Sequence, residues 1–372
     1  MLEFFEKLSD FKNFFSIKTD KKLVIFYSEN LNYRNYLLPL ANRFANEEKF
    51  KTVYVTSDLN DKKKFNKNVE TFYIGTGFFR LAFFTLVKCD FLITSLSNLN
   101  NNIKVSKKCK KLVYVPHALC STHKVYERSA FQHYDIFFAT GNYQKVELEK
   151  AEKTYNFNQK KIFNVGYVFF ENFKKKEEAL DLKEKNNIIF APSWQRGKRN
   201  LLEDHGKKII KILLEKNFSV TLRIHPEAAK RLKYKIKSLT KDFMNENNFI
   251  INTNLQDFSF FKKSEILISD NGGVALEYIY LYNKPVLYIN YSEKIQNEDF
   301  KSIHEDTFED TFKKDYCHQI DIKNIENIDQ KIIELKSNYS DEKIRKSIDY
   351  INKNIYNEDI PSNNIFRTLN NL

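Results

Sequence analysis

Short runs of β-branched and aromatic residues recur along this chain, each separated from the next by a segment with helical spacing. Leu23-Val24-Ile25-Phe26-Tyr27 is the first run, and a helical pattern over 33–46 follows it. Thr52-Val53-Tyr54-Val55, Thr71-Phe72-Tyr73-Ile74, Phe91-Leu92-Ile93-Thr94, Leu112-Val113-Tyr114-Val115 and Ile136-Phe137-Phe138-Ala139 continue the series. A helix over 147–155 then leads to Ile162-Phe163-Asn164-Val165-Gly166. Strands covered on both faces read as continuous apolar runs, and parallel neighbours need helical crossovers between them. The pattern predicts an α/β chain with a parallel, doubly wound sheet.

The series breaks at 171–187, "ENFKKKEEALDLKEKNN", which is almost wholly polar and reads as a linker. It then restarts with Ile188-Ile189-Phe190-Ala191, a helix over 200–216, and Val220-Thr221-Leu222-Arg223-Ile224. A helix over 228–240, the runs 249–251 and 266–268, a further helix and Pro285-Val286-Leu287-Tyr288-Ile289 complete it, with charged helical sequence from about 324. At 372 residues, two domains are expected. Two Rossmann-like halves, 1–172 and 186–352, would face a central cleft, with a helical tail over 353–372. In such sheets ligands bind outside the carboxyl ends of the strands.

Formal net charge is +13. Such a charge attracts anionic membranes, phosphorylated substrates or nucleic acid; it also arises as a solvated lysine surface in a chain rich in Lys and Asn. No recognised nucleic-acid motif accompanies it, so no nucleic-acid partner is expected. The four cysteines, Cys89, Cys109, Cys120 and Cys317, show no close metal spacing, and a reduced cytosolic chain is the simpler account. No metal or other cofactor is demanded by any carboxylate or His/Cys cluster. Residues 1–20 lack the uninterrupted apolar core of a signal peptide. The richest apolar window, 78–87, is too short to span a bilayer and contains Arg80.

Four stretches could carry chemistry. In "SDNGGVALEY", 269–278, Gly272 and Gly273 are adjacent in a chain with only eight glycines. A strand, then Ser269, Asp270 and Asn271, two glycines and a helix is the geometry in which amides and the helix dipole face an anion. Glu277 lies one turn inside, where a carboxylate can accept a ribose hydroxyl; a plain turn capped by Asp270 is the alternative. In "TLRIHPE", 221–227, Arg223 and His225 alternate on one face at a strand end, and two such donors suit a phosphate or a surface cap. In "VYVPHALCSTH", 113–123, His117 follows a strand and Pro116, either as a general base or as a hydrogen-bonded strand-end histidine. "APSWQRGKR", 191–199, places Ser193, Arg196, Lys198 and Arg199 on a loop able to meet phosphate. His123 and His133 read as structural or surface residues.

The order of these stretches resembles the CDP-glycerol glycerophosphotransferase family, the teichoic-acid-type polymerases and primases of the GT-B fold. The resemblance runs from about Phe91 to Tyr291 and is most specific in "RIHPE" and "ISDNGGVALEYIYLYNKPVLYI". It implies that His117 is the catalytic base and that Arg223, His225 and the Ser269–Gly273 turn hold a donor diphosphate, with Glu277 near the ribose. It implies a CDP-activated polyol donor and a surface-glycan or lipid-linked acceptor, in capsule or teichoic-acid-like polymer synthesis. The chain departs from the family pattern at Ala118, at Gly272-Gly273 and at Val168-Phe169. The rival readings are a glycosyltransferase of the same fold using a CMP- or UDP-linked sugar, and a basic binding protein without catalysis.

Phe4, Phe5, Leu8, Phe11, Phe14 and Phe15 lie at roughly helical spacing, with Lys7, Lys12 and Lys18 nearby. The stripe suits a helix lying on anionic lipid at the cytoplasmic face of the membrane, or a helix packed on the protein's own core. The lysines of 104–111 would add to the former.

Overall fold

The computed structural model describes residues 2–62, 69–174, 186–254, 256–304, 306–338, 340–356 and 358–372. The apolar runs become strands β1 (Lys22–Ser28), β2 (Phe50–Thr56), β3 (Glu70–Tyr73), β4 (Cys89–Thr94), β5 (Cys109–Tyr114), β6 (Ile136–Ala139) and β7 (Lys161–Asn164). A second set follows: β8 (Asn187–Phe190), β9 (Ser219–Arg223), β10 (Phe249–Asn252), β11 (Ile266–Ser269), β12 (Val286–Asn290) and β13 (His318–Asp321). Two sheets result, ordered β3-β2-β1-β4-β5-β6-β7 and β10-β9-β8-β11-β12-β13. Every pairing in both is parallel. The chain runs outward from β1 to β3 and then returns to lay β4 beside β1; it repeats the manoeuvre from β8 to β10 and back to β11. Each sheet therefore has one point where the strand order reverses, and such a reversal opens a crevice at the carboxyl ends.

Alternate residues of one strand feed two cores. On β1, Ile25 and Tyr27 join Phe83 and Phe84 on one face, and Val24 and Phe26 join Leu40 and Phe44 on the other. That double burial is why the runs lack a polar alternation.

The compact units are not contiguous in sequence. The first comprises 1–176, 296–305 and 354–372, and the second 177–295 and 306–353. The C-terminal helix Pro361–Asn370 packs Phe366 on Phe44 and Phe50, with ring centroids 5.1 and 5.9 Å apart, and Arg43 lies 3.9 Å over the Phe366 ring. On its way there the chain passes the ends of β6 and β7, where the Tyr356 N–H donates to Thr140 O at 2.9 Å. Gly141 and Gly166 make the passage possible. A Cβ at either would collide with the main chain of 354–356, and Gly166 has φ +93° besides.

Several elements differ from the sequence expectation. The helix expected over 228–240 is two, Pro226–Arg231 and Lys233–Thr240. Of the expected linker 171–187, Glu171–Lys174 is helical and Asn187 opens β8, while 175–185 lie outside the described residues. The N-terminal helix Leu2–Phe15 packs on the protein's own core along part of its phenylalanine stripe. Phe14 is buried against Phe72 and Phe83, and Asp10 accepts the Tyr73 N–H at 2.6 Å and Lys62 at 2.6 Å. Phe4, Phe5 and Phe15 nevertheless face solvent. Burying a Phe contributes about 1.5–3 kcal/mol, so removing this helix would damage the first unit. No described helix is long and apolar enough to cross a membrane.

Candidate functional site

In the second unit the strand reversal lies between β8 and β11, and most of the sequence-predicted donor residues gather there. The Ala191 N–H donates to Ile268 O at 2.8 Å and Ser269 Oγ donates to Ala191 O at 2.8 Å, so the two strand ends are zipped. One residue further, Asp270 Oδ1 accepts the Ser193 N–H at 2.7 Å and Oδ2 accepts Ser193 Oγ at 2.8 Å. Asp270 is 2% exposed. A buried carboxylate must have such donors, and each charge-assisted bond contributes about 1.5–3 kcal/mol. Asp270 thus clasps the β8 loop rather than capping the helix.

The helix Val274–Tyr282 follows, with Gly273 as its N-cap residue and no side-chain cap. Its first main-chain donors are Ala275, Leu276 and Glu277, bonded to Gly272 O and Gly273 O. The amides of Gly272, Gly273 and Val274 precede that ladder, at the positive end of the helix. The reason for the glycine pair differs from expectation. Gly273 has φ −59° and ψ −23°, ordinary helical values, and Gly272 is not among the residues with positive φ. At Gly272 the constraint is space, because a Cβ would stand 3.1 Å from Ser269 Oγ and 3.3 Å from Val274 Cγ1. Asn271 turns aside, its Nδ2 donating to Ser292 O at 2.6 Å, and Glu277 is buried in the first turns of the helix.

His225 and Arg223 sit at the end of β9, next to β8. His225 caps helix Pro226–Arg231, its Nδ1 accepting the Glu227 N–H at 3.2 Å, so a neutral ring carries its proton on Nε2. It stacks on Trp194, which neighbours Ser193, at 6.0 Å and 23°. Arg223 is buried and occupied differently: it donates to Asp257 O at 3.2 Å and lies over the rings of Phe258 and Phe261 at 5.2 and 4.7 Å. The 191–199 loop is anchored, since the Gln195 N–H donates to Asn200 Oδ1 at 2.6 Å and its side chain to Ile295 O at 2.8 Å. Arg199 pairs with Asp204, and Arg196 and Lys198 are exposed on the same loop.

In the first unit, His117 stands beyond the end of β5, half-buried in a collar of phenols. Its Nδ1 is 3.1 Å from the Tyr114 hydroxyl, and its ring meets those of Tyr33, Tyr36 and Tyr126 edge-on at 5.2, 6.2 and 6.1 Å. Burial, and next the neighbouring Tyr126, hold the Tyr114 phenol well above its ordinary pKa, so it stays protonated. In the tautomer with its proton on Nδ1, donated to the phenol oxygen, Nε2 is the basic nitrogen. The loop after His117 is pinned by helix Asn142–Tyr155: Tyr143 donates to Leu119 O at 2.6 Å, Gln144 to Cys120 O at 3.0 Å, and Glu147 accepts the Thr122 N–H at 2.6 Å. His123 is buried between Glu147 at 3.3 Å and His304 O at 3.1 Å, a structural residue.

Sequence reasoning missed the collar and one cation. Tyr114 is three residues before His117, and the pair Tyr33 and Tyr36 shares a helical face; both were signals in hand. Lys313, on helix Phe308–Tyr316, places Nζ 3.4 Å from Asp270 O and gave no signal. A cavity of about 430 Å³ lined by Leu202, Leu232, Ile236 and several lysines touches Arg199 but none of the other residues named above. Among the described residues no group of three His, Cys, Asp or Glu side chains is placed to hold a metal ion.

No protein-family model matches the chain, and no curated protein matches it. Solved structures do. Over 95% of its length the chain is similar to all of the UDP-GlcNAc 2-epimerase of Neisseria meningitidis bound to UDP-GlcNAc, at 16% identity and a TM-score of 0.60. It is similar over 100% of its length to 94% of the wall teichoic acid polymerase TagF, at 13% identity and a TM-score of 0.58. The UDP-GlcNAc 2-epimerase of Methanocaldococcus jannaschii in complex with UDP-GlcNAc and UDP is similar over 95% of this chain and 100% of its own, at 14% identity and a TM-score of 0.58. At these identities the likeness is one of fold: two Rossmann-like domains of the GT-B type.

Proposed function

We propose that this protein is a transferase that moves glycerol phosphate, or a similar polyol phosphate, from a CDP-activated donor to a hydroxyl of a surface-glycan or lipid-linked acceptor. The observation that carries the reading is the turn at the β8–β11 reversal. There the Ser193–Asp270 clasp fixes the main chain, and the amides of 272–274 stand where a diphosphate gains most from the helix dipole. His225 Nε2–H is a second donor on the same edge, Lys313 supplies positive charge beside the turn, and Glu277 is the candidate for the ribose hydroxyls. Arg223 would join only by leaving part of its contact with Asp257 O. UDP-GlcNAc, the ligand of the Neisseria and Methanocaldococcus structures, is likewise a nucleoside diphosphate compound.

In this reading His117 is the base of the first unit. Its Nε2 takes the acceptor hydroxyl's proton as that oxygen attacks the phosphorus bearing the polyol. The new P–O bond forms while the P–O bond to CMP breaks, and the charge growing on CMP is met by the amides of 272–274 and by Lys313. The phenol collar orients the imidazole. The enzyme would work at the inner membrane face, as a peripheral protein.

Binding of cytidine, uridine and guanosine diphosphate compounds, followed by CMP release from CDP-glycerol with a polyol-phosphate acceptor, tests the proposal. Preference for cytidine and acceptor-dependent CMP release are expected. Preference for a uridine diphosphate sugar with no CMP release would replace the reading by a sugar-nucleotide glycosyltransferase, and no nucleotide binding would remove both.

A further inference from the structure

Two helices of the first unit share an outward face that is apolar at its centre. On helix Phe78–Leu86, Phe78 is 75% exposed, and Leu81 and Leu86 are each more than half exposed, as are Phe4 and Phe5 of helix Leu2–Phe15. The two sets are one surface. Phe79 lies 5.9 Å from Phe4, 5.4 Å from Phe11 and 5.7 Å from Phe78, bridging the helices. The second helix has a single charged residue, Arg80, and it turns inward to Glu29 at 2.8 Å. Its exposed positions are therefore Phe78, Leu81, Thr85 and Leu86, with no charge among them. A soluble surface seldom leaves large apolar side chains contiguous in this way unless something covers them.

Lysines frame the patch. Lys12 and Lys18 are exposed on and just beyond the first helix, and Lys88 follows the second by two residues. The Ser106 N–H donates to Phe84 O at 2.7 Å, which fastens the lysine-rich 104–111 segment to the end of the second helix, with Lys107 and Lys108 exposed. Carboxylates bordering the patch are already engaged: Glu3 by Lys7 and Tyr73, Asp10 by Lys62, and Asp90 by Lys110. The net charge around the apolar centre is positive. An apolar face for the headgroup–acyl boundary, surrounded by cations for anionic headgroups, is the chemistry of an interfacial anchor.

We infer that this two-helix face is the surface on which the first unit docks to an anionic bilayer, with helix Phe78–Leu86 as its deepest element. The inference rests on the peripheral-membrane location proposed above and assigns it to residues. Phe78 and Leu81 are exposed, so the double variant Phe78→Glu, Leu81→Glu keeps the core intact. Co-sedimentation with phosphatidylcholine vesicles containing about 30% phosphatidylglycerol compares it with the full-length wild type, at low and high salt. Wild type is expected to partition, more weakly at high salt, and the double variant to lose about tenfold or more with an unchanged thermal transition. In a second measurement, Phe78→Trp adds an indole to a chain whose single tryptophan is Trp194. Its emission should be quenched by lipids brominated on the acyl chain. Equal partition of the double variant, or an unquenched Phe78→Trp, overturns the assignment while leaving the membrane location standing. Wild type that ignores anionic vesicles overturns both. Dimerisation in ultracentrifugation that the double variant abolishes, without vesicle binding, gives the face to a second copy of the chain instead.

Discussion

At the carboxyl edge of the first sheet the chemically interesting group is an imidazole set among phenol rings; at the same edge of the second it is a length of main chain set between a serine and a carboxylate. The strand topology is shared, reversing at β1–β4 in one and β8–β11 in the other. What differs is the material laid on it. The proposed proton acceptor needs an oriented ring, and Tyr114 with the rings of Tyr33, Tyr36 and Tyr126 supplies aromatic walls and one hydrogen bond. An anion cradle needs dipoles that do not rearrange, and the Ser193–Asp270 clasp immobilises those of the turn. In the proposed reaction, two copies of one layout would divide proton handling from charge handling.

The largest effect should come from breaking the first side of that contrast. His117→Ala should lower the transfer rate by about 10²–10⁴-fold, the usual contribution of general-base catalysis, while calorimetric affinity for the CDP donor stays unchanged. A rate within about threefold of wild type, well short of that contribution, would return His117 to a structural strand-end residue. Next, Gly272→Val should weaken donor binding by about tenfold or more, because the side chain crowds Ser269 Oγ and covers the amides. Affinity unchanged in a folded variant would make the turn a mere spacer.

Arg223→Ala separates two roles. Loss of its contacts with Asp257 O, Phe258 and Phe261 should cost about 1–3 kcal/mol in urea unfolding, with donor affinity falling less than in Gly272→Val. A donor affinity loss with full stability would instead make Arg223 a phosphate ligand. The smallest effect is expected for Tyr114→Phe, which removes one hydrogen bond worth about 1 kcal/mol, so kcat should drop roughly fivefold with the donor KM unmoved. An unaltered kcat would mean that the phenol merely fills space.

How much of this was legible in advance follows from burial. Strands such as 23–27 and 266–268 are covered on both faces, so they stand out as apolar runs. Strand β13, His-Gln-Ile-Asp at the sheet edge, has one buried residue and no such mark. Helix Phe78–Leu86 was opaque because its inner face meets the core and its outer face is apolar too, which erases the helical period. The position of the glycine pair could be read, but not its reason: the crowding at Gly272 involves Ser269 Oγ, whose own place depends on Ala191 78 residues earlier. The Ser193–Asp270 clasp spans 77 residues and leaves no local trace. The collar joins residues of separate elements: Tyr114 and the Tyr33–Tyr36 pair left local signals, but their convergence on His117 left none.

The return of the chain past Gly141 and Gly166 has a consequence for synthesis. Most of the first unit precedes the second in sequence, yet Phe366 packs on Phe44 and Phe50, and Arg43 bonds Asn363 across 320 residues. A chain emerging from the ribosome completes the second sheet before the first receives its last helix. Domains made at ~5–20 residues per second usually fold from the N-terminus onward. Here the first unit must wait, with part of its apolar face uncovered, until helix Pro361–Asn370 has been made.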